Sequence, residues 1–242
     1  MMSLQEILEH RRAVRQYDAA KPLDDDKVKE CIRLATLAPT SSNMQLWECF
    51  HVTNPEVLKQ LATACLGQGS ARTARQIVVF VTRQDRWKSH AEAVLKANIE
   101  EINLNSPEER KAHRIAMQED YYAKLMPYNY KRLFGLFGLY RKILIQLKGL
   151  KRPVKRQISE TDMRVVVHKS CALAAQTFML AMSEQGYDTC PLEGFDSFRV
   201  KKALGLPYDC GINMVITCGV RAKGGVRGDR YRLPLSEFYH KV

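Results

Sequence analysis

The chain has 242 residues, 45% of them hydrophobic, which is enough for one large α/β domain with a sizeable core. Its formal charge of +12 invites a nucleic-acid reading. Yet ten positive charges fall between Tyr121 and Ser159, a stretch with no carboxylate, and the rest of the chain nets only +2, so the basicity is local. Seven scattered cysteines, with no Cys-x-x-Cys pair and no zinc-like histidine spacing, read as reduced core thiols of a cytoplasmic protein. The segment Met1-Met2-Ser3-Leu4-Gln5-Glu6 lacks a basic head followed by an apolar run, so no signal peptide is expected. No stretch reaches the about 18 uninterrupted apolar residues of a spanning helix.

In chain order, Ser3 with Glu6 forms a capping-box pattern that opens a helix ending at Arg11 and Arg12. Asp24 caps a second helix whose apolar stripe is Val28, Ile32, Leu34 and Ala35. The β-branched, alternating run from Trp47 to Thr53 predicts a strand. Asn54-Pro55 starts a short helix, and Gln76 to Thr82 is apolar enough for a strand buried on both faces. A long helical zone follows, in which Ser106-Pro107-Glu108-Glu109 predicts a capping box. Thr161 to Gln185 is the most apolar helix, stopped by a left-handed Gly186. Asp196 caps one more short helix, and Asn213 to Val220 is a third strand. Strands separated by long helices imply a sheet covered on both faces.

Chemistry-bearing motifs are sparse. No Ser-His-Asp set, metal cluster or phosphate-loop glycine pattern is visible, and the six histidines are dispersed. Four blocks stand out instead: Arg11-Arg12-Ala13-Val14-Arg15, Pro39-Thr40-Ser41-Ser42-Asn43 running to Trp47, Pro191-Leu192-Glu193-Gly194, and Arg230-Tyr231-Arg232. Each alone reads blandly, as surface arginines or ordinary turns. Two arginine clusters so far apart suggest one anion gripped from both sides, because paired guanidinium groups recognise phosphate well.

In their order and spacing, the four blocks resemble the FMN-dependent nitroreductase family over about residues 3–127 and 160–236. The resemblance implies a three-layer α-β-α fold with a mixed central sheet, a single domain over 1–242, and a basic amphipathic helical insert over about 128–159. It implies that Arg11, Arg230 and Arg232 grip the FMN phosphate and that Arg15 sits by the pyrimidine edge of the ring. The backbone at Pro191, Leu192, Glu193 and Gly194 would cross the flavin face, with amides at Glu193 and Gly194 near N5. Gly194 suits close approach of backbone to a ring. Thr40, Ser41 and Asn43 would reach the flavin of a partner subunit, which requires a homodimer. Gln68 and Ser70 lie where other members contact the pyrimidine edge, and core-loop filler is an equal reading for them. Where the family usually has serine this chain has Ala13, removing one hydroxyl that Arg12 or a backbone amide would replace, and Leu46 stands for a common proline.

The implied activity is ping-pong hydride transfer from NADH or NADPH, through flavin N5, to an electron-poor nitroaromatic, quinone or similar acceptor. A flavin-binding regulatory or membrane-peripheral module with little turnover is the alternative. Within the insert, Lys131 to Leu150 reads as an amphipathic helix with Leu133, Leu136, Phe137, Tyr140, Ile143, Leu144 and Leu147 on one face. Three readings of it compete: an apolar stripe packed on the dimer as a lid, a peripheral contact of residues 131–156 with the inner membrane surface, and, least favoured, nucleic-acid binding.

Overall fold

The computed structural model describes residues 2–242. In chain order its elements are α1 (Leu4–His10), α2 (Asp25–Ala35), β1 (Trp47–Val52), α3 (Pro55–Ala64), α4 (Gly69–Thr73), β2 (Gln76–Thr82), α5 (Trp87–Asn105) and α6 (Glu108–Glu119). A π-helical turn over Asp120–Leu125 leads into α7 (Met126–Tyr130). Then come α8 (Leu136–Lys148), α9 (Glu160–Glu184), β3 (Asp188–Leu192), α10 (Ser197–Leu204) and β4 (Gly211–Gly219).

The strands lie in the order β1-β2-β4-β3, and every ladder is antiparallel. The mixed sheet expected from the sequence is therefore corrected: among the described residues, parallel pairing is confined to one isolated bridge, Ala13 with Thr189. Strand direction depends on how the crossovers route the chain, and no residue of a strand encodes it. The three-layer arrangement itself stands. Helices α2 and α9 pack on one face around Val78, Phe80 and Ile216, while α3 and α10 pack on the other around Ile77, Val79 and Val215. All seven residues of β2 are consequently buried.

Local chemistry explains most boundaries. The capping box of Ser3 and Glu6 forms, and Asp24, Asn54 and Asp196 each accept two backbone N–H bonds at their helix starts. Helix α9 adds a capping box of Ser159 and Asp162, and Gly186 (φ +74°) ends it, the Tyr187 N–H donating back to Met182. This helix is long and apolar enough to cross a membrane, but 44% of its most apolar stretch is buried inside the fold, as befits a central core helix.

Two local expectations fail. The capping box at Ser106 does not form: Ser106 Oγ accepts a bond from Arg114, and α6 begins at Glu108 without a side-chain cap. The insert helix starts five residues later than expected, because Phe134 (φ +45°) and Gly135 (φ +86°) turn the chain into the left-handed region before Leu136. The face docked on the body is Gly138, Arg141 and Ile145, while Leu136, Phe137, Tyr140, Ile143 and Leu147 are exposed.

The docking is polar and close. Arg141 is fully buried and donates to the carbonyls of Phe137, Tyr128, Asn129 and Lys131, closing the C-terminal end of α7. Glu160, at the start of α9, accepts from the N–H groups of Leu133 and Gly135 at 3.0 Å each. A Cβ at position 138 would lie 2.7 Å from the Glu160 backbone nitrogen. Gly138→Val therefore forces α8 off α9. We expect limited trypsin digestion to cut within residues 131–156 at least about tenfold faster in this variant, with the thermal transition of the core little changed. Equal digestion rates would contradict this docking.

Candidate functional site

The end of α1 and the strap that follows it lie against β3 and the C-terminal segment. The Val14 N–H donates to Thr189, and the Arg15 N–H donates to Gly225. Arg230 donates to the carbonyls of Leu8, Glu9 and Arg11, so it caps the C-terminal end of α1, where free carbonyls carry partial negative charge. Arg12 donates to the Gly228 carbonyl at 2.8 Å. Arg232 is exposed and donates only to its neighbour's carbonyl.

These contacts bring Arg11, Arg12, Arg230 and Arg232 together, and among the described residues none forms an ion pair with a carboxylate. The electrostatic consequence falls on Arg11, whose guanidinium is pushed down from its ordinary range by burial and then by Arg230, Arg232 and Arg12. Positive charge gathered and uncompensated in this way favours an anion. Close by, burial raises the Cys190 thiol, against the opposing charges of Arg15 and Arg11. The other thiols are free and unreactive by the same physics: burial pushes Cys31 up to about 12 and Cys49 and Cys65 up to about 11.

Beside the cluster, Pro191 and Leu192 close β3, with Glu193 and Gly194 exposed just beyond it. Gln68 Nε2 donates to the Gly194 carbonyl at 2.8 Å. A Cβ on Gly194 would meet only that amide, at 3.5 Å, so packing within the chain does not demand a glycine here. Ser70 Oγ is buried beside the Cys190 thiol, and Thr189 Oγ1 is buried without a hydrogen-bond partner. Unpaired buried hydroxyls are uncommon and mark a place where another group completes the bonding.

The loop of Thr40, Ser41 and Asn43 sits elsewhere. Ser42, Asn43 and Gln45 all have φ near +50°, a strained backbone for residues with a Cβ. Thr40 Oγ1 accepts from the Gln45 N–H, and the Gln45 amide donates to the Asn43 carbonyl and side chain. The Ser41 N–H donates to Ser170 Oγ in the middle of α9, whereas the arginine cluster lies at its far end, where Ser183 bonds His10 and the Ile7 carbonyl. The two groups are therefore about 20 Å apart along α9. Within one chain, the four blocks fall into two separate groups. The loop borders a cavity of about 400 Å³ roofed by the insert, lined by Ser41, Tyr121, Met126, Tyr130, Ile145 and Lys155.

Sequence reading missed β3 altogether and with it the clamp that holds the arginine strap in place. Asp188, on the buried first residue of β3, accepts from the Arg221 N–H and guanidinium, and Arg221 also donates to the His10 carbonyl. Pro191 disguised the strand, and it is tolerated because β3 is at the sheet edge.

A family model described as "Nitroreductase family" matches residues 8–220. The chain belongs to the nitroreductase family. Members similar to it include MhqN of Bacillus subtilis (strain 168), provisionally named a NAD(P)H nitroreductase, at 21% identity over 98% of each chain. A protein of Thermus thermophilus named NADH dehydrogenase is 24% identical, covering 93% of this chain and 89% of that one. Among solved structures, a protein of Exiguobacterium sibiricum crystallised with FMN and provisionally named a nitroreductase superposes with a TM-score of 0.68 at 19% identity, over 100% of this chain and 98% of the other. Nitroreductase membership makes the chain an oxidoreductase, on the fold that its four sequence blocks implied.

Two predictions follow from the clamp. Asp188→Ala leaves Arg221 without its carboxylate, and we expect a loss of about 3 kcal/mol of unfolding free energy, read from the urea midpoint. The His10 imidazole is held below its ordinary value by burial and then by Arg221, against the pull of Asp188. The unfolded chain therefore binds that proton more readily, and this contribution to stability is present above about pH 6.5 and lost as the pH falls below it. His10→Gln should flatten the decline in urea midpoint between about pH 7 and pH 5.5, and an unchanged slope would contradict the assignment.

Proposed function

We propose that this nitroreductase-family chain is a homodimeric FMN enzyme that carries hydride from NADH or NADPH to an electron-poor acceptor, such as a nitroaromatic or a quinone, in ping-pong order in the cytoplasm. The observation that carries the reading is the arginine cluster at the end of α1, whose charge no carboxylate balances. An FMN phosphate meets that need in charge and in hydrogen-bonding capacity. Bound FMN would supply the hydride chemistry at N5, so the chain need carry no acid–base residue of its own.

The residues then divide by task. Arg11, Arg230 and Arg232 hold the phosphate, and Arg230 is fixed in place by three of its N–H groups on the carbonyls of Leu8, Glu9 and Arg11. Arg12 is tied to Gly228 and stiffens the strap. At Ala13 the missing hydroxyl leaves the backbone bridge to Thr189 as the local fastening. Arg15 stands by the pyrimidine edge, where a cation stabilises negative charge on reduction, with Gln68 positioned through Gly194. Pro191, Leu192, Glu193 and Gly194 present backbone to the ring. Thr40, Ser41 and Asn43, too far away to serve the same ligand within one chain, complete the site across the dimer. The cavity of about 400 Å³ under the insert is then the room for the acceptor.

Purified protein should show a flavin spectrum that bleaches on anaerobic addition of NADPH or NADH. A flavin that resists both would identify a binding module without turnover, and a colourless protein that does not take up FMN would refute the reading. Arg11→Ala should weaken FMN binding by about tenfold or more, measured by quenching of flavin fluorescence, whereas Arg227→Ala, outside the cluster, should leave it unchanged.

A further inference from the structure

The outer face of α8 is the least expected surface of the molecule. Leu136, Leu139, Tyr140, Ile143 and Leu147, with Phe137 at the margin, occupy about 160° of the helix circumference and point away from the body. Phe134, at the turn before the helix, is 99% exposed, and Leu150 just after it is 81% exposed. A surface helix ordinarily turns such a stripe inward. Here the inward side is taken by Gly138 and the buried Arg141, so the stripe has no place in the chain's own core.

Charge identifies what suits this face. Lys142 and Lys148 flank the stripe on its two sides, and Lys151 and Arg152 follow at its end, all exposed. No acidic side chain occurs between Tyr121 and Ser159. Of the carboxylates that follow this stretch, Glu160 is engaged by the N–H groups of Leu133 and Gly135, and Asp162, which acts on Lys142, is held by the Ser159 N–H and hydroxyl. Burial pushes the Glu160 pKa up, but its backbone bonds outweigh burial and hold the group below its ordinary value, ionised and turned into the fold.

We propose that α8 is an interfacial docking helix that lays its leucine-rich face into the surface of an anionic phospholipid bilayer, with Lys142 and Lys148 at headgroup level. An apolar centre wide enough to enter the acyl boundary, edged by lysines and free of acids, matches lipid in both its hydrophobic and its charged parts. A second copy of the chain fits less well, since a two-fold contact between these faces would bring two lysine-edged, acid-free patches together with no carboxylate from either to pair the charges. Nucleic acid would leave the leucines in water. Docking uses none of the residues assigned to the flavin, so the two readings fail separately.

The test is co-flotation of the full-length, flavin-loaded protein with vesicles of phosphatidylcholine alone and of phosphatidylcholine with phosphatidylglycerol. Binding is expected to the anionic vesicles, at least about tenfold above the neutral ones and weakened by salt. The Lys142→Glu/Lys148→Glu variant should lose about tenfold or more, and Leu136→Glu/Leu147→Glu should abolish flotation, with far-UV circular dichroism and the mass from light scattering unchanged. Failure to float with anionic vesicles overturns the proposal, as does equal binding to neutral ones. A fall to half the mass in Leu136→Glu/Leu147→Glu would show that a second copy occupies the face. Retention on nucleic acid with no flotation would assign it there.

Discussion

Four guanidinium groups held together without a carboxylate form an arrangement that a fold must actively maintain. Here the maintenance is done by backbone. Arg230 is spread over the last carbonyls of α1, Arg12 is fixed to Gly228, and the strap between them is pinned to β3 and to Gly225. Beneath it, Asp188 takes up the charge of Arg221 and leaves Arg11 uncompensated. The clamp separates a structural arginine, which has its carboxylate, from four arginines that pair with none among the described residues.

The same economy of place governs the loop of Thr40, Ser41 and Asn43. The loop from Thr40 to Gln45 accepts three left-handed backbone conformations in residues with side chains, and hydrogen bonds from its own polar groups and to Ser170 sustain it. Helix α9 is the ruler between the two groups, fixing the loop at its middle and the arginine strap at its end. Because a 25-residue helix packed in the core does not shorten, loop and strap stay about 20 Å apart within one chain. The insert is fastened to the start of this helix, so roof, loop and strap are all referenced to one rigid element.

Much of this was legible in the sequence where the chemistry is local. The caps at Ser3, Asp24, Asn54 and Asp196, the buried strand from Gln76 to Thr82 and the glycine stop at Gly186 depend on neighbours within a turn, and each forms as read. What depends on distant partners was not legible. Strand direction, the short β3 with its proline, and the pairing of Asp188 with Arg221 across 33 positions belong to the assembled sheet. The amphipathic pattern of α8 was visible, but not the side it presents: period alone assigns an apolar face, and only the fit of Gly138 against Glu160 shows that the opposite face is the one that docks. Of the candidate site, the residue types, their blocks and the assignment of Thr40, Ser41 and Asn43 to a separate group were readable from resemblance, whereas the distance between the groups required the fold.

If strap and loop serve one FMN, a complete site needs two chains. Hybrid dimers test it directly. An Arg11→Glu chain, damaged in the strap, and a Ser41→Trp chain, damaged in the loop, should each fail to bind FMN alone. If the site is shared, mixing them after reversible dissociation should restore FMN binding in the hybrid, because one of its two sites combines the intact strap of one chain with the intact loop of the other. No recovery in a mixture shown by mass to contain hybrid dimers would contradict the account, since strap and loop would then have to act within the same chain.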